Sequence, residues 1–309
     1  MIYMTQDITA QQFQQGFASA GYICSDAIAM TLYLAYKLEK PILVEGPPGV
    51  GKTELAKATS EFLQYPLIRL QCYEGLDEAK ALYEWKYGKQ LLYTQVLKDK
   101  LGDLLKGTHN LAESIDRLHE FGDIFYSEQF LEPRPLLQAL QSETGTVLLI
   151  DEIDKADNEF ESFLLEMLSD YQISIPEIGT VKANRHPIVL LTSNNTRELS
   201  DALKRRCLHL YIPFPEAELE RNIIQSRVPG INDQLKQQLV NFVQAVRKLD
   251  LKKQPAISET IDWARTLLLL HTEALSQETV ESTLNVLLKH EEDISNVKDD
   301  LKTLFKSVF

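Results

Sequence analysis

Apolar residues recur at helical spacing through "SDAIAMTLYLAYKLEK" (25–40), and Ser25 stands where an N-cap belongs. This opening stretch therefore reads as helix. The period then changes. "PILVEG" carries a short apolar run, Ile42 to Val44, bounded by Pro41 and Gly46, as a buried parallel strand would be. Helical spacing returns in "TELAKATSEFLQ" from Thr53. Three further strand signals follow: "PLIRLQC", "VLLID" at 147–151 and "PIVLLTSN" at 187–194. Apolar strands separated by helical segments predict an α/β domain with a mostly parallel sheet flanked by helices. The alternating stretch "YQISIPEIGTVKANRHP" predicts a β-hairpin just before the last strand. From Phe214 onward the strand signals stop. "LKQQLVNFVQAVRKL", "ETIDWARTLLLLHTEAL" and "ETVESTLNVLLKHEEDI" are amphipathic helices, and Pro213 and Pro215 mark the boundary. The expected division is 1–213 for the α/β domain and 214–309 for a small all-α domain.

Composition narrows the setting. The chain has 309 residues, 44% hydrophobic and 25% charged, as in an ordinary globular protein. No apolar run reaches the ~20 residues that span a bilayer. The start, "MIYMTQDITAQQFQQGF", lacks the basic and apolar regions of a signal peptide. Cys24, Cys72 and Cys207 are odd in number and widely spaced, which fits a reducing compartment, so a cytoplasmic location is expected. Net charge is −13, which disfavours a nucleic-acid partner. The histidines (His109, His119, His186, His209, His271, His290) show no metal-ligand spacing with the cysteines and read as surface or core residues.

The strongest chemical signal is "EGPPGVGKTE", a G-x-x-x-x-G-K-T motif formed by Gly46, Gly49, Gly51, Lys52 and Thr53. It follows a strand and opens a helix, as a phosphate loop must. Its backbone N–H groups cradle phosphate oxygens beside the positive helix end. Lys52 can reach the β- and γ-phosphates of a nucleotide, and the Thr53 hydroxyl can coordinate Mg²⁺. Val50 and Glu54 complete the nucleotide-binding set.

With such a loop upstream, the acids ending "VLLIDE" acquire roles. A neighbouring strand delivers Asp151 to the metal side, and Glu152 is placed to polarise the water that attacks the γ-phosphate. Asp154 and Lys155 read as a surface pair on the following loop.

These motifs, with "LLTSNNTREL" and "DALKRRCLHL" in the same order, resemble an AAA+ ATPase, which implies a P-loop NTPase core with a helical lid domain. "LIRLQCYEGLD", "FLLEMLSDYQISIPEIGT" and "LTSNNTRELSDALKRRC" are similar to the MoxR group encoded beside von Willebrand A-domain proteins, whose relatives act in carbon-monoxide dehydrogenase maturation. The likeness runs from about Gly21 to Arg265. It implies that Asn194 is the sensor residue that helps place the attacking water. It also implies that Arg206, ahead of its neighbour Arg205, is an arginine finger for the next subunit's γ-phosphate. Two extra elements are implied as well: an insert at about 74–100 and the hairpin at about 171–185. Tyr83, Trp85 and Tyr87 in the insert either grip substrate or pack its core. The lid of such relatives carries a sensor arginine where this chain has Thr260; either Arg265 substitutes or that sensor is absent.

The resemblance implies a ring-shaped homo-oligomer, a hexamer, that couples Mg²⁺-dependent ATP hydrolysis to remodelling or maturation of a protein client through a von Willebrand A-domain partner. An AAA+ motor on DNA and a low-turnover nucleotide switch are the alternatives. The acidic charge disfavours the first, and the intact Asp151–Glu152 pair disfavours the second.

Overall fold

A computed structural model describes residues 8–104, 127–176 and 178–308. His109 and His119, and Glu177 within the hairpin sequence, lie outside the described residues.

The N-terminal apolar pattern forms two helices, Ala10–Ser19 and Asp26–Leu38. Thr9 caps the first through a capping box with Gln12. Ser25 occupies the N-cap position of the second, but its side chain makes no cap hydrogen bond. The chain then enters β1 (Ile42–Glu45), crosses by the helix Lys52–Leu63, and continues as β2 (Leu67–Gln71). After a helical turn at Glu78–Ala81 come β3 (Tyr83–Trp85) and the helix Tyr87–Leu104. β4 (Leu131–Pro133) pairs antiparallel with β3. The helix Pro135–Leu140 leads into β5 (Val147–Asp151), followed by the helix Asn158–Asp170. β6 (Gln172–Ile175) and β7 (Gly179–Lys182) form an antiparallel hairpin ahead of β8 (Ile188–Ser193). The helix Asp201–Arg206 then precedes β9 (Leu208–Tyr211).

Five of these strands make one parallel sheet in the order β2-β5-β8-β1-β9. β5 is buried at every position because helices cover both faces. Its side chains alternate between them: Val147 and Leu149 join the cluster beneath the N-terminal helices, Leu148 and Ile150 the cluster on the opposite face. The apolar pattern of the sequence marks only four of the five. β9 escapes it because it is a four-residue edge strand with a single buried residue, Leu210. A strand with one neighbour need not be continuously apolar.

The described helices between Ala217 and Val308 enclose a separate hydrophobic cluster. Phe242 and Trp263 meet there with ring centroids 5.5 Å apart, and the Trp263 indole N–H donates to Thr283 Oγ1 at 2.8 Å.

Candidate active site

All five parallel strands point their carboxyl ends to one edge of the sheet, where ligands of open α/β folds bind. The loop from β1 to its helix lies there. Gly49 has φ +77°, and a Cβ on it would come within 2.6 Å of Ser258 Oγ and 2.7 Å of Ala256 Cβ. Glycine is therefore required both by the left-handed backbone and by the approach of the C-terminal helices. Gly51, at φ +98°, takes the N-cap position, so the helix opens with its N–H groups toward the loop.

Lys52 is 7% exposed. Its ammonium donates to Gly46 O at 2.6 Å, Pro47 O at 2.8 Å and Asn194 Oδ1 at 2.8 Å. Burial lowers its pKa to about 8, against the opposing pull of Asp154, Asp151 and Glu152. Thr53 Oγ1 stands 3.2 Å from both carboxylate oxygens of Asp151. Asp151 is 3% exposed; Thr192 Oγ1 donates to its Oδ1 at 2.5 Å and Arg69 Nη2 to its Oδ2 at 2.6 Å.

Glu152 turns out of the strand at φ +58°, with its N–H on Thr192 Oγ1 at 2.9 Å. Asn194 Nδ2 donates to Oε1 at 3.3 Å, Gln71 Nε2 to Oε2 at 3.0 Å, and the Lys155 ammonium lies 2.8 Å from Oε2. Asn194 thus joins the loop lysine to Glu152 with a single amide. Thr192, which accepts from the Glu152 N–H and donates to Asp151, joins Lys52, Asn194 and Glu152 to Thr53 and Asp151 in one continuous hydrogen-bonded set.

The surface-pair expectation for Asp154 and Lys155 needs correcting. Asp154 is 4% exposed and accepts from the N–H of Asn194 at 3.2 Å and of Thr196 at 3.0 Å, and from Thr196 Oγ1 at 2.6 Å. Burial alone would raise its pKa, but these donors hold it below the usual carboxylate value. It fastens the loop that carries Asn194. Lys155 is exposed and pairs with Glu152 instead.

Glu54 sits beside the loop, bonded to Lys57 at 2.6 Å and to Arg227 Nη2 at 2.8 Å. Glu54 and Arg227 both belong to a cleft of about 840 Å³ that Val50, Gly51, Tyr22, Ile23 and Phe214 also line. Arg205 and Arg206 are not brought to this set. Arg206 bonds Ser169 Oγ at 2.5 Å and Ala202 O at 2.9 Å, and Arg205 is exposed. Arg265 is exposed and pairs with Asp262 at 3.5 Å. Thr260 is fully buried, bonded to Glu220 Oε1 at 3.0 Å and Arg247 Nη2 at 3.3 Å. In the insert, Trp85 is packed in the core at 9% exposure, Tyr83 packs against the same cluster, and Tyr87 is 67% exposed.

Arg69, Gln71, Thr192 and Arg227 are not legible as site residues in the sequence. A polar residue on an apolar strand is a weak signal by itself. In β2 the signal is doubled, since Arg69 and Gln71 alternate toward one side of "LIRLQ".

The donor set fits a phosphate chain with Mg²⁺. A hydroxyl and a carboxylate face each other over 3.2 Å, two hard oxygens of the kind Mg²⁺ takes from protein while phosphates and water supply the rest. No group of three His, Cys, Asp or Glu side chains that could cage an ion alone occurs among the described residues.

A parallel sheet of this order, with a phosphate loop after β1 and paired acids after β5, defines a P-loop NTPase of the AAA+ fold. The chain belongs to the AAA domain family, dynein-related subfamily, which it matches over residues 41–207. Uncharacterized proteins of Staphylococcus aureus, from strains bovine RF122 / ET3-1 and NCTC 8325 / PS 47, are 28% identical over 240 residues, covering 75% of this chain and 77% of theirs. Among solved structures, the Thermotoga maritima RuvB Holliday junction branch migration motor aligns at TM-score 0.43 and 18% identity, over 89% of this chain and 69% of that one. A mutant form of the same Thermotoga maritima RuvB aligns at TM-score 0.45 and 18% identity, over 91% of this chain and 71% of that one. Family membership supports nucleotide binding and an activity driven by nucleotide hydrolysis. No described helix is long and apolar enough to cross a membrane.

Proposed function

We propose that the protein is a Mg²⁺-dependent ATPase of the MoxR type that drives remodelling, assembly or maturation of a protein client. The reading is carried by Asn194, which reaches Lys52 on one side and Glu152 on the other. Bound Mg·ATP supplies the reactive phosphoryl group and the metal that neutralises its charge. Lys52 binds phosphate oxygens through its ammonium, and Thr53 and Asp151 hold the metal side. Glu152 takes the proton of the attacking water, and Asn194 orients that water. Gln71 and Lys155 hold the Glu152 carboxylate in place. Arg206, with Arg205, completes the neighbouring subunit's site in a ring of copies, where a guanidinium matches the charge on the transferred phosphoryl oxygens. Residues 214–309 act as a lid, consistent with the contacts of Ser258 and Arg227 to Gly49 and Glu54. The insert at 74–100 and the hairpin at 171–185 engage a von Willebrand A-domain partner or the client.

The test is ATP hydrolysis by the full chain with Mg²⁺, together with co-purification from its native cell using Glu152→Gln and ATP. Steady turnover, nucleotide-dependent assembly and recovery of a von Willebrand A-domain protein support the reading. Absence of hydrolysis overturns the ATPase assignment, and salt-sensitive, ATP-dependent DNA binding in place of a protein partner overturns the client assignment.

A further inference from the structure

Asp151 is the metal-side acid of the proposed site, yet it already has a cation. Arg69 projects from β2, the strand next to β5, and its Nη2 lies 2.6 Å from Asp151 Oδ2. The same nitrogen donates to Gln71 Oε1 at 2.5 Å, and Gln71 in turn donates to Glu152. Two residues of one strand therefore hold both acids. Asp151 is 4% exposed as a side chain and Arg69 is 51% exposed. The carboxylate is confined by Thr192 and Thr53, whereas the guanidinium has solvent beside it and room to leave.

A buried carboxylate strongly favours a counter-charge. Thr53 lies 3.2 Å from both oxygens of Asp151; Oδ1 is held by the Thr192 hydroxyl and Oδ2 by Arg69, so the arginine is the charged partner that a metal on the Thr53–Asp151 side would replace. We infer that Arg69 is the resident counter-ion of Asp151, and that loading of Mg²⁺ with nucleotide exchanges it off that carboxylate. Arg69 thereby sets how much free Mg²⁺ the site needs. Because Gln71 bridges Arg69 to Glu152, the exchange also frees a hydrogen-bonding partner of the Glu152 carboxylate, which links metal loading to the position of that base. This inference rests on the metal-nucleotide reading of the site.

Removing the arginine has opposite consequences for two ligands. A site with one positive charge fewer holds metal-free ATP more weakly, but Asp151, left without its counter-ion, takes Mg²⁺ more readily. A purely structural role for Arg69 would weaken both.

The experiment uses the full chain carrying Glu152→Gln, so that binding is read without turnover. Fluorescently labelled ATP is bound in EDTA and then across a titration of free Mg²⁺, with Arg69, Arg69→Met and Arg69→Lys compared. Arg69→Met is expected to lower the half-saturating Mg²⁺ by about threefold to tenfold, equivalent to ~0.6–1.4 kcal/mol, and to weaken binding in EDTA. Arg69→Lys, which keeps the charge but loses the planar fork, should fall between the two. An unchanged or raised half-saturating Mg²⁺ in Arg69→Met overturns the inference, and if that variant does not fold the Arg69→Lys titration decides by the same criterion. If the protein with Arg69 intact binds ATP with no dependence on Mg²⁺, the metal-nucleotide reading itself fails. If that dependence is present and the variants do not shift it downward, only the exchange fails.

Discussion

Two polar networks in this molecule use the same chemistry to different ends. Among the C-terminal helices, Glu220 is fully buried and accepts both guanidinium arms of Arg247 at 2.7 Å, the Gln244 amide at 2.7 Å and the Thr260 hydroxyl at 3.0 Å. Arg247 donates its Nε–H to Pro255 O at 2.7 Å and lies over the Phe214 ring. At the strand ends, Asp154 Oδ1 is buried without a hydrogen-bond partner, Lys52 is held by carbonyls and an amide, and Asp151 is paired with a half-exposed arginine. The first network is closed: each charge is matched and nothing is left to exchange. The second has partners that a ligand can replace. Full pairing suits a structural role and replaceable partners suit a site. An unpartnered atom alone does not mark one: Arg134 Nε, beside the separate β3–β4 pair, is also buried without a hydrogen-bond partner.

The largest test of that contrast is Glu152→Gln. If Glu152 is the general base, as proposed, its loss should lower the hydrolysis rate by about 10²–10⁴-fold with the melting temperature unmoved; an unchanged steady-state rate would show that another group activates water. Glu220→Ala should do the reverse. Leaving Arg247 buried and unpaired costs about 3–5 kcal/mol, read by urea unfolding, whereas a change under ~1 kcal/mol would mean that the network is not closed. Asp154→Asn lies between the two. Weaker acceptance from Asn194 and Thr196 should cost about 1–3 kcal/mol and also slow hydrolysis, since the loop that places Asn194 loosens. Loss of stability with full turnover would separate Asp154 from the chemistry.

The pH dependence of Lys52 is a smaller effect of definite sign. Its value of about 8 in the folded chain lies below the ordinary 10.5. The unfolded chain therefore binds more protons between those values, so this residue's contribution to stability rises as pH increases through that window and is flat below it. Phosphate binding favours the charged lysine. ATP binding should therefore take up about half a proton near pH 8 and almost none near pH 6.5, measured by calorimetry in buffers of different ionisation enthalpy. No uptake at pH 8 would contradict the depressed value. Least affected should be Arg265→Ala, which removes an exposed pair with Asp262 and should change stability by under ~0.5 kcal/mol and leave hydrolysis intact. A large loss of hydrolysis would restore Arg265 as the lid's sensor.

Much of the site is legible in the sequence because its signals are local. A strand, a glycine loop and a helix are contiguous, so Gly46 to Thr53 declare themselves by spacing, and Asp151 and Glu152 are adjacent. Asp154 reads differently in sequence and in structure. An acid after a strand is ordinarily solvated, and nothing nearby in the chain reveals that Asn194 and Thr196 close over it. Thr260 reads as a missing arginine in the sequence. In the fold it is a fully buried member of the Glu220 network, with Arg247, thirteen residues earlier, facing inward beside it.

The sequence by itself determined the elements with strong periodicity, the phosphate loop and the paired acids, because backbone preference and apolar spacing act over a few residues. Only the tertiary structure decided the partners of those acids. Strand order and register put Arg69 and Gln71 beside residues 82 and 81 positions away, and they put Asn194 between Lys52 and Glu152. Which side chains meet across a sheet depends on which strands are neighbours, and that is a property of the whole packed core.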